Sequence, residues 1–208
     1  MSEISFLFIG PSKTASTWIY EFLRSHPGVS LPPFKESFFF DRCYHKGFNW
    51  YQRQFSGCDK NLMIGEFSHD YILEEHYLED KPDTIARIHR HMPNVKLICC
   101  LRNPYQRTLS GYYFLKRNGY QFRNLIEACS KHSELVEGSL YFKNISNVLK
   151  YFSSSSLLIL DFEKLKEDPF SFADDIQRFL ELEHDAENPL IGKKVNPRKA
   201  ARFRYLSL

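Results

Sequence analysis

Residues 4–9, Ile-Ser-Phe-Leu-Phe-Ile, form a short and almost wholly apolar run closed by Gly10-Pro11. A run with no polar face to turn to water predicts a strand covered on both sides of its sheet. Ser12-Lys13-Thr14-Ala15-Ser16-Thr17 then make a tight loop, and Trp18, Ile19, Phe22 and Leu23 fall at helical spacing until His26-Pro27-Gly28 stops the pattern. The same grammar recurs at residues 95–101, a second apolar run bracketed by Pro93-Asn94 and Arg102-Asn103-Pro104, with Pro104 placed for the first turn of a helix to about Arg117. A third run, Leu157-Leu158-Ile159-Leu160, follows four serines and lies between helical patterns at about 141–153 and 170–182, where Ile176, Phe179 and Leu180 share a face. Strands alternating with helices predict a three-layer α/β/α fold around a central parallel sheet. Ligands of such sheets bind at the carboxyl ends of the strands, which sets the loops at 10–17 and 102–110 on one edge if their strands are near neighbours.

The 208 residues suffice for a single domain, 1–208, and 43% hydrophobic residues supply its core. A net charge of +3 on 28 basic and 25 acidic residues argues for neither a nucleic acid nor a membrane as partner. The charge is nonetheless local: Lys193, Lys194, Arg198, Lys199, Arg202 and Arg204 crowd residues 193–204 with no acid among them, so the preceding chain is mildly acidic. A solvated, frayed terminus is the plain alternative for that segment. Five cysteines without a Cys-x-x-Cys pair or zinc-like His spacing predict a reducing compartment, and the absence of a basic-then-apolar leader or a long apolar span sets the expectation of a cytoplasmic protein. Asn144-Ile145-Ser146 matches a glycosylation sequon, which without a leader is read as chance.

A loop between a buried strand and a helix start offers backbone N–H groups and the positive end of a helix dipole to an anion, and Lys13, Ser16 and Thr17 would add a cation and two hydroxyls. The alternative is a plain helix N-terminus capped by Ser16 or Thr17. A Walker P-loop is not present, because no Gly-Lys-Ser/Thr follows Gly10 at the required distance. The segment Gly10-Pro11-Ser12-Lys13-Thr14-Ala15-Ser16-Thr17-Trp18 instead resembles the first signature of the sulfotransferases that use 3′-phosphoadenosine 5′-phosphosulfate (PAPS), whose fold is P-loop NTPase-like. Ala15 stands where that family usually has Gly, so positive φ costs more there. The second signature, a strand followed by Arg-x-Pro and a Ser in the next helix, is similar to Leu101-Arg102-Asn103-Pro104 through Ser110. The resemblance implies that Lys13, Thr14, Ala15, Ser16, Thr17 and Trp18 hold the 5′-phosphosulfate and that Arg102 and Ser110 hold the 3′-phosphate. A planar guanidinium fork suits phosphate oxygens.

Between the signatures lies Lys35-Glu36-Ser37-Phe38-Phe39-Phe40-Asp41. A carboxylate beside a hydrophobic run is partly desolvated, which suits a general base, while the neighbouring Lys pulls the other way; taken bare, the segment reads as a solvated turn. It resembles the Lys-Glu-x-x-Phe-Phe-Asp motif of the heparan sulfate and other glycan sulfotransferases. By that resemblance Glu36 is the base, Lys35 and Asp41 orient the acceptor, and Phe38 replaces a His found in several members. Gly65-Glu66-Phe67-Ser68-His69-Asp70-Tyr71 resembles the family's acceptor-side segment, with Phe67 where a Lys is common, which implicates Ser68, His69 and Tyr71 in acceptor binding. Read without the family, His69 and Asp70 offer a catalytic dyad, against which stands the plainer reading of two adjacent loop residues as a helix cap and a solvated imidazole. Ile191-Gly192-Lys193-Lys194 looks like the late loop that folds over the 3′-phosphate, and Tyr141 is a candidate for the adenosine side.

The resemblance thus implies a PAPS-dependent sulfotransferase, releasing adenosine 3′,5′-bisphosphate (PAP) and needing no metal, because Lys13, Arg102, Ser110 and the late lysines meet the donor's charges. The acceptor is a small molecule or glycan bearing a hydroxyl or amine. Two competitors stay open: a kinase-like nucleotide-dependent phosphotransferase, and a PAP-binding module in which Ala15, Phe38 and Phe67 mark lost catalysis. Room for acceptor-binding insertions is limited to about 40–92 and 118–140, so the acceptor site is expected to be open, shared with a second copy in a homo-oligomer, or incomplete.

Overall fold

The structure, a computed structural model, describes residues 4–73 and 83–191. Five strands, β1 (Ile4–Gly10), β2 (Val29–Ser30), β3 (Met63–Phe67), β4 (Lys96–Leu101) and β5 (Leu157–Asp161), make one sheet in the order β2-β3-β1-β4-β5, and every pairing is parallel. β1 is therefore central, with β3 on one side and β4 on the other. Its side chains alternate between two cores. Leu7 and Ile9 pack with Leu97, Cys99, Tyr51, Ile85, Ile88 and Val148, while Phe6 and Phe8 pack with Ile98, Cys100 and Leu160 under Trp18, Phe22 and Phe172. The first core is covered by helices α2 (Phe48–Arg53), α3 (Thr84–His91) and α7 (Tyr141–Val148); the second by α1 (Ser16–Ser25) and α9 (Pro169–Leu180). This is the expected three-layer α/β/α arrangement.

The strands at 4–10, 96–101 and 157–161 and the helices at 16–25 and 104–117 stand where the apolar runs predicted them. The helix read at 141–153 ends at Val148, and that at 170–182 begins at Pro169 and ends at Leu180. β2 and β3 carry no comparable signal: β2 has two residues, and β3 is interrupted by Gly65-Glu66. Helix α4 (Pro104–Arg117) opens as its sequence dictates, with Pro104 in the first turn and the Asn103 side chain accepting from the N–H of Gln106 at 3.1 Å. Between α4 and α7 lie α5 (Leu125–Lys131) and the single turn α6 (Glu134–Glu137), and α8 (Phe162–Glu167) follows β5.

Because all five strands run the same way, the segments leaving β1, β2, β3 and β4, namely residues 11–15, 31–41, 68–71 and 102–103, emerge on one edge. The chain order reverses at β1, which makes its carboxyl end the crevice of the sheet. The close packing there is specific. A side chain on Gly10, whose φ is +107°, would overlap the carbonyl oxygen of His69. Beyond β3 the chain keeps its hold on β1 through the N–H of Ser68 donating to the Phe8 carbonyl and that of Ile72 to the Ile9 carbonyl, both at 2.9 Å. Replacing Gly10 by Ala is expected to lower stability by about 2 kcal/mol or more, through backbone strain and displacement of the 68–71 segment. Gly57→Ala, with open space around it, should stay within about 0.5 kcal/mol of the native protein, and urea titration of both variants checks the contrast.

Candidate active site

The loop after β1 carries two residues in the left-handed region, Lys13 at φ +68° and Ala15 at φ +69°. Ala15 thus adopts the glycine-like conformation despite its Cβ, at a cost of about 1–2 kcal/mol. The turn is held by the Thr14 hydroxyl, which donates to the Pro11 carbonyl at 2.6 Å. Ala15 is also the cap position of α1. Neither Ser16 nor Thr17 caps the helix, and its first turn holds no acid, so the positive end of α1 faces the loop without a side-chain partner.

Across the crevice, Arg102 Nη1 donates to the Lys13 carbonyl at 3.4 Å and its guanidinium lies over the Phe162 ring at 4.4 Å, while its Nε is buried with no partner. Tyr141, at the start of α7, fixes the Arg102 backbone: its hydroxyl donates to the Arg102 carbonyl at 2.6 Å and accepts from the Arg102 N–H at 3.3 Å. Lys13 Nζ sits over the exposed ring of Phe114 at 4.2 Å. Burial, then the charges of Arg117 and Arg102, push the Lys13 ammonium down to about 8. Lys13, Arg102 and Arg117 make no ion pair among the described residues. Three cations around a bare helix N-terminus, one with an orphaned buried donor, fit a polyanionic ligand.

On the β3 side of the crevice, Glu36 and Phe38 also take positive φ, +66° and +51°. The Glu36 N–H donates to the Phe67 carbonyl at 2.9 Å, anchoring the loop to the end of β3. The buried Glu36 carboxylate pairs with His69, whose Nδ1 is 2.7 Å from Oε1 and whose backbone N–H donates to Oε2 at 3.1 Å. Lys35 is buried with its ammonium over the rings of Tyr20 and Phe67, at 5.3 and 5.6 Å, and burial pulls its pKa down.

Beneath this loop lies a residue that sequence reasoning did not single out. Glu66 is buried and accepts from the hydroxyls of Ser37, Tyr51 and Tyr71, the last at 2.9 Å. Burial raises its carboxyl to about 7 against the pull of the three hydroxyls. Tyr71 also accepts from the N–H of Phe39 and of Phe40, at 3.0 and 3.4 Å, so one hydroxyl network sets the backbone of the Glu36 loop. Arg107 was likewise missed. It is buried on the inner face of α4, donates to the carbonyls of Glu134 and Leu135 and the hydroxyl of Ser139, and reaches the Ser12 carbonyl at 3.4 Å. The signal available for it was Gly111 one turn later: an inward-facing small residue marks the same face as Arg107.

The structure thus brings Lys13, Ser16, Thr17, Arg102 and Tyr141 to one side of the crevice, with Ser110 half-buried on α4, and Lys35, Glu36, Phe38 and His69 to the other. Five expectations change. Trp18 is a core residue, stacked on Phe22 at 5.2 Å, and only its backbone is left for an anion. Tyr71 is wholly buried in the Glu66 network and has no surface for an acceptor. Ser68 is buried too, with its hydroxyl unpartnered, and Asp41 is buried with its carboxylate accepting from the Arg42 N–H at 2.8 Å. His69 is not a free, solvated imidazole; its ring pairs with the carboxylates of Glu36 and Asp70. Lys193, Lys194 and the rest of the basic segment lie outside the described residues.

Fold and crevice together define an α/β protein whose cationic crevice suits a polyanion beside a buried carboxylate paired with a half-buried imidazole. The chain belongs to the sulfotransferase domain family, whose model matches residues 3–194. It is 32% identical over 201 residues to the mouse bifunctional heparan sulfate N-deacetylase/N-sulfotransferase 4, covering 84% of this chain and 22% of that protein, and 31% identical to the mouse heparan sulfate glucosamine 3-O-sulfotransferase 6, covering 85% and 52%. The chain therefore spans about a fifth to a half of the length of these relatives. Among solved structures it is similar in fold to a sulfotransferase from Alicyclobacillus acidocaldarius, with TM-score 0.79, 22% identity and 95% and 88% of the two chains covered. The mouse sulfotransferase SULT7A1 complexed with PAP gives TM-score 0.62, 16% identity and coverage of 89% and 60%.

Two pH dependences follow. An anion favours the charged form of Lys13, so affinity for adenosine 3′,5′-bisphosphate, followed by calorimetry, should hold steady below pH 8 and fall as pH rises above it; Lys13→Arg should flatten the fall. The raised pKa of Glu66 means that its contribution to stability is complete below about pH 4.5 and is lost as pH rises through about 7, so Glu66→Gln should gain on the native protein in denaturant unfolding between pH 5 and 8, by on the order of 2–4 kcal/mol.

Proposed function

We propose that this domain transfers a sulfuryl group from PAPS to a hydroxyl or amine acceptor, with Glu36 as general base. The observation that carries the reading is the crevice at the end of β1, where Lys13, Arg102 and Arg117 lack acidic partners among the described residues on one side and buried Glu36 pairs with half-buried His69 on the other. The orphaned Nε of Arg102 is the vacant donor a phosphate would engage. Arg102 and Ser110 are suited to the 3′-phosphate, and Lys13, Ser16, Thr17 and the first N–H groups of α1 to the 5′ end. When bound, PAPS supplies the group that is transferred. Lys13 offsets charge on the departing bisphosphate, Tyr141 keeps Arg102 aimed, and Glu36 takes the proton from the acceptor so that its oxygen or nitrogen can attack in line.

Relatives named for N- and O-sulfation of heparan sulfate favour a glycan acceptor and leave amine and hydroxyl both in play. Phe67, which stands where the glycan enzymes commonly have a Lys, has a structural place here. Its ring is buried, stacked on Phe8 at 5.3 Å beneath Lys35, so that position supports a cation instead of lining the acceptor path. We place this domain in the cytoplasm on its cysteine pattern, five cysteines with no Cys-x-x-Cys pair.

Lys13→Ala should lower kcat by about 100-fold or more while weakening PAP binding only modestly, and Arg102→Ala should do the reverse, which turnover with labelled PAPS and PAP calorimetry read separately. Glu36→Gln should lose at least about 100-fold in kcat; full turnover in that variant would remove Glu36 as the base. Tighter binding of ATP with magnesium than of PAP would point to a phosphotransferase instead.

A further inference from the structure

The imidazole of His69 is held between two carboxylates. Its Nδ1 is 2.7 Å from Glu36 Oε1 and its Nε2 is 3.2 Å from Asp70 Oδ2. With its backbone N–H on Glu36 Oε2, His69 alone engages both oxygens of that carboxylate. Asp70 accepts from Arg42 Nη2 at 3.2 Å, and Arg42 lies over the Phe38 ring at 4.4 Å. The same Phe38 ring meets the His69 ring edge to face at 6.2 Å. The backbone on either side is fixed as well: the His69 carbonyl packs on Gly10, and Glu36 is tied to Phe67.

Each ring nitrogen faces a carboxylate oxygen, and only the imidazolium has two N–H donors to give them; a neutral ring would turn a lone pair on one carboxylate. Burial opposes the charge, but Asp70 and Glu36 outweigh it and hold the His69 pKa well above the usual imidazole range. The cations near this pair, Arg42 and the more distant Arg107, act on Asp70. His69 therefore has no free nitrogen with which to take a proton.

We propose that His69 is the positioning residue of the Glu36 base: as an imidazolium bridging Asp70 and Glu36, it fixes the Glu36 rotamer and holds that carboxylate in place for the acceptor proton. The acceptor's O–H or N–H bond breaks, its proton passes to the Glu36 oxygen, and His69 retains both of its own. A glutamate on a loop has several rotamers to lose, and one already held in place reacts without that cost. The proposal rests on the reading of Glu36 as base and adds the residue that makes it one.

The test uses the whole chain with labelled PAPS, together with 15N NMR of the imidazole nitrogens in the native protein. His69→Ala should lower kcat by about 10- to 100-fold with the donor KM near native. His69→Asn, which can restore a donor near Nδ1, should recover part of kcat. His69→Ala in a Glu36→Gln background should cost little more, since there is no carboxylate left to hold. The native His69 nitrogens should both report N–H at pH 7.5 and one should lose its proton in Glu36→Gln, a readout that needs neither turnover nor the stability of the alanine variant. An unchanged kcat in a folded His69→Ala, multiplying losses in the double variant, or a neutral His69 at pH 7.5 would each overturn the proposal. Full turnover in Glu36→Gln would instead sink the base assignment, and this inference with it.

Discussion

At the end of β1 the carbonyl of His69 occupies the space that a side chain on Gly10 would need, and this one close approach sets the two halves of the crevice against each other. On one side of Gly10 the chain turns into the anion-binding loop; on the other, the 68–71 segment follows β1 outward by two backbone hydrogen bonds and presents His69. Glu36 is tied to Phe67 and paired with His69, so its position is inherited from the same contact. The cations and the carboxylate thus belong to one rigid edge, although they come from loops far apart in sequence. Parallel topology makes this economical, because every strand delivers its exit to the same side.

The edge carries backbone strain. Lys13, Ala15, Glu36 and Phe38 all hold positive φ without being glycine, and such residues persist only where their surroundings over-determine them. Here the surroundings can be named: Thr14 closes the first loop on Pro11, Arg102 and Arg107 reach the carbonyls of Lys13 and Ser12, and the Glu66 hydroxyl network fixes the backbone at 39 and 40. Two ionisable groups deep in the fold, Glu66 and Arg107, serve the loops by holding their supports, which is a reason for burying them that core packing alone does not give.

The sequence made the central and outer strands β1, β4 and β5 readable, because each is an apolar run longer than a turn and followed by a helix signal. β2 and β3 escaped since two residues make no pattern and Gly65-Glu66 breaks one. The anion side of the site was legible for the same reason as its strands: Lys13 and Arg102 stand directly after them. The carboxylate side was less so. Glu66 reads as a polar break until Ser37, Tyr51 and Tyr71, which are 29, 15 and 5 residues away, are seen to converge on it. His69 looked like a solvated imidazole because its partner Glu36 is 33 residues away, reached only through strand pairing.

The positions where this chain departs from its family's signatures look different once their contacts are known. Ala15 takes the left-handed conformation that a glycine would supply, so the loop keeps its shape at an energetic cost instead of losing its function. Phe67 sits in the core and carries Lys35 on its face. Phe38 brings no acid or base, yet its ring packs against an imidazole that already serves the neighbouring glutamate. A module that had lost catalysis would be free to lose the strained turns first, since they cost stability and pure binding does not need Glu36 held. On the proposed reading, that strain is the cost of holding Glu36 in place for the acceptor.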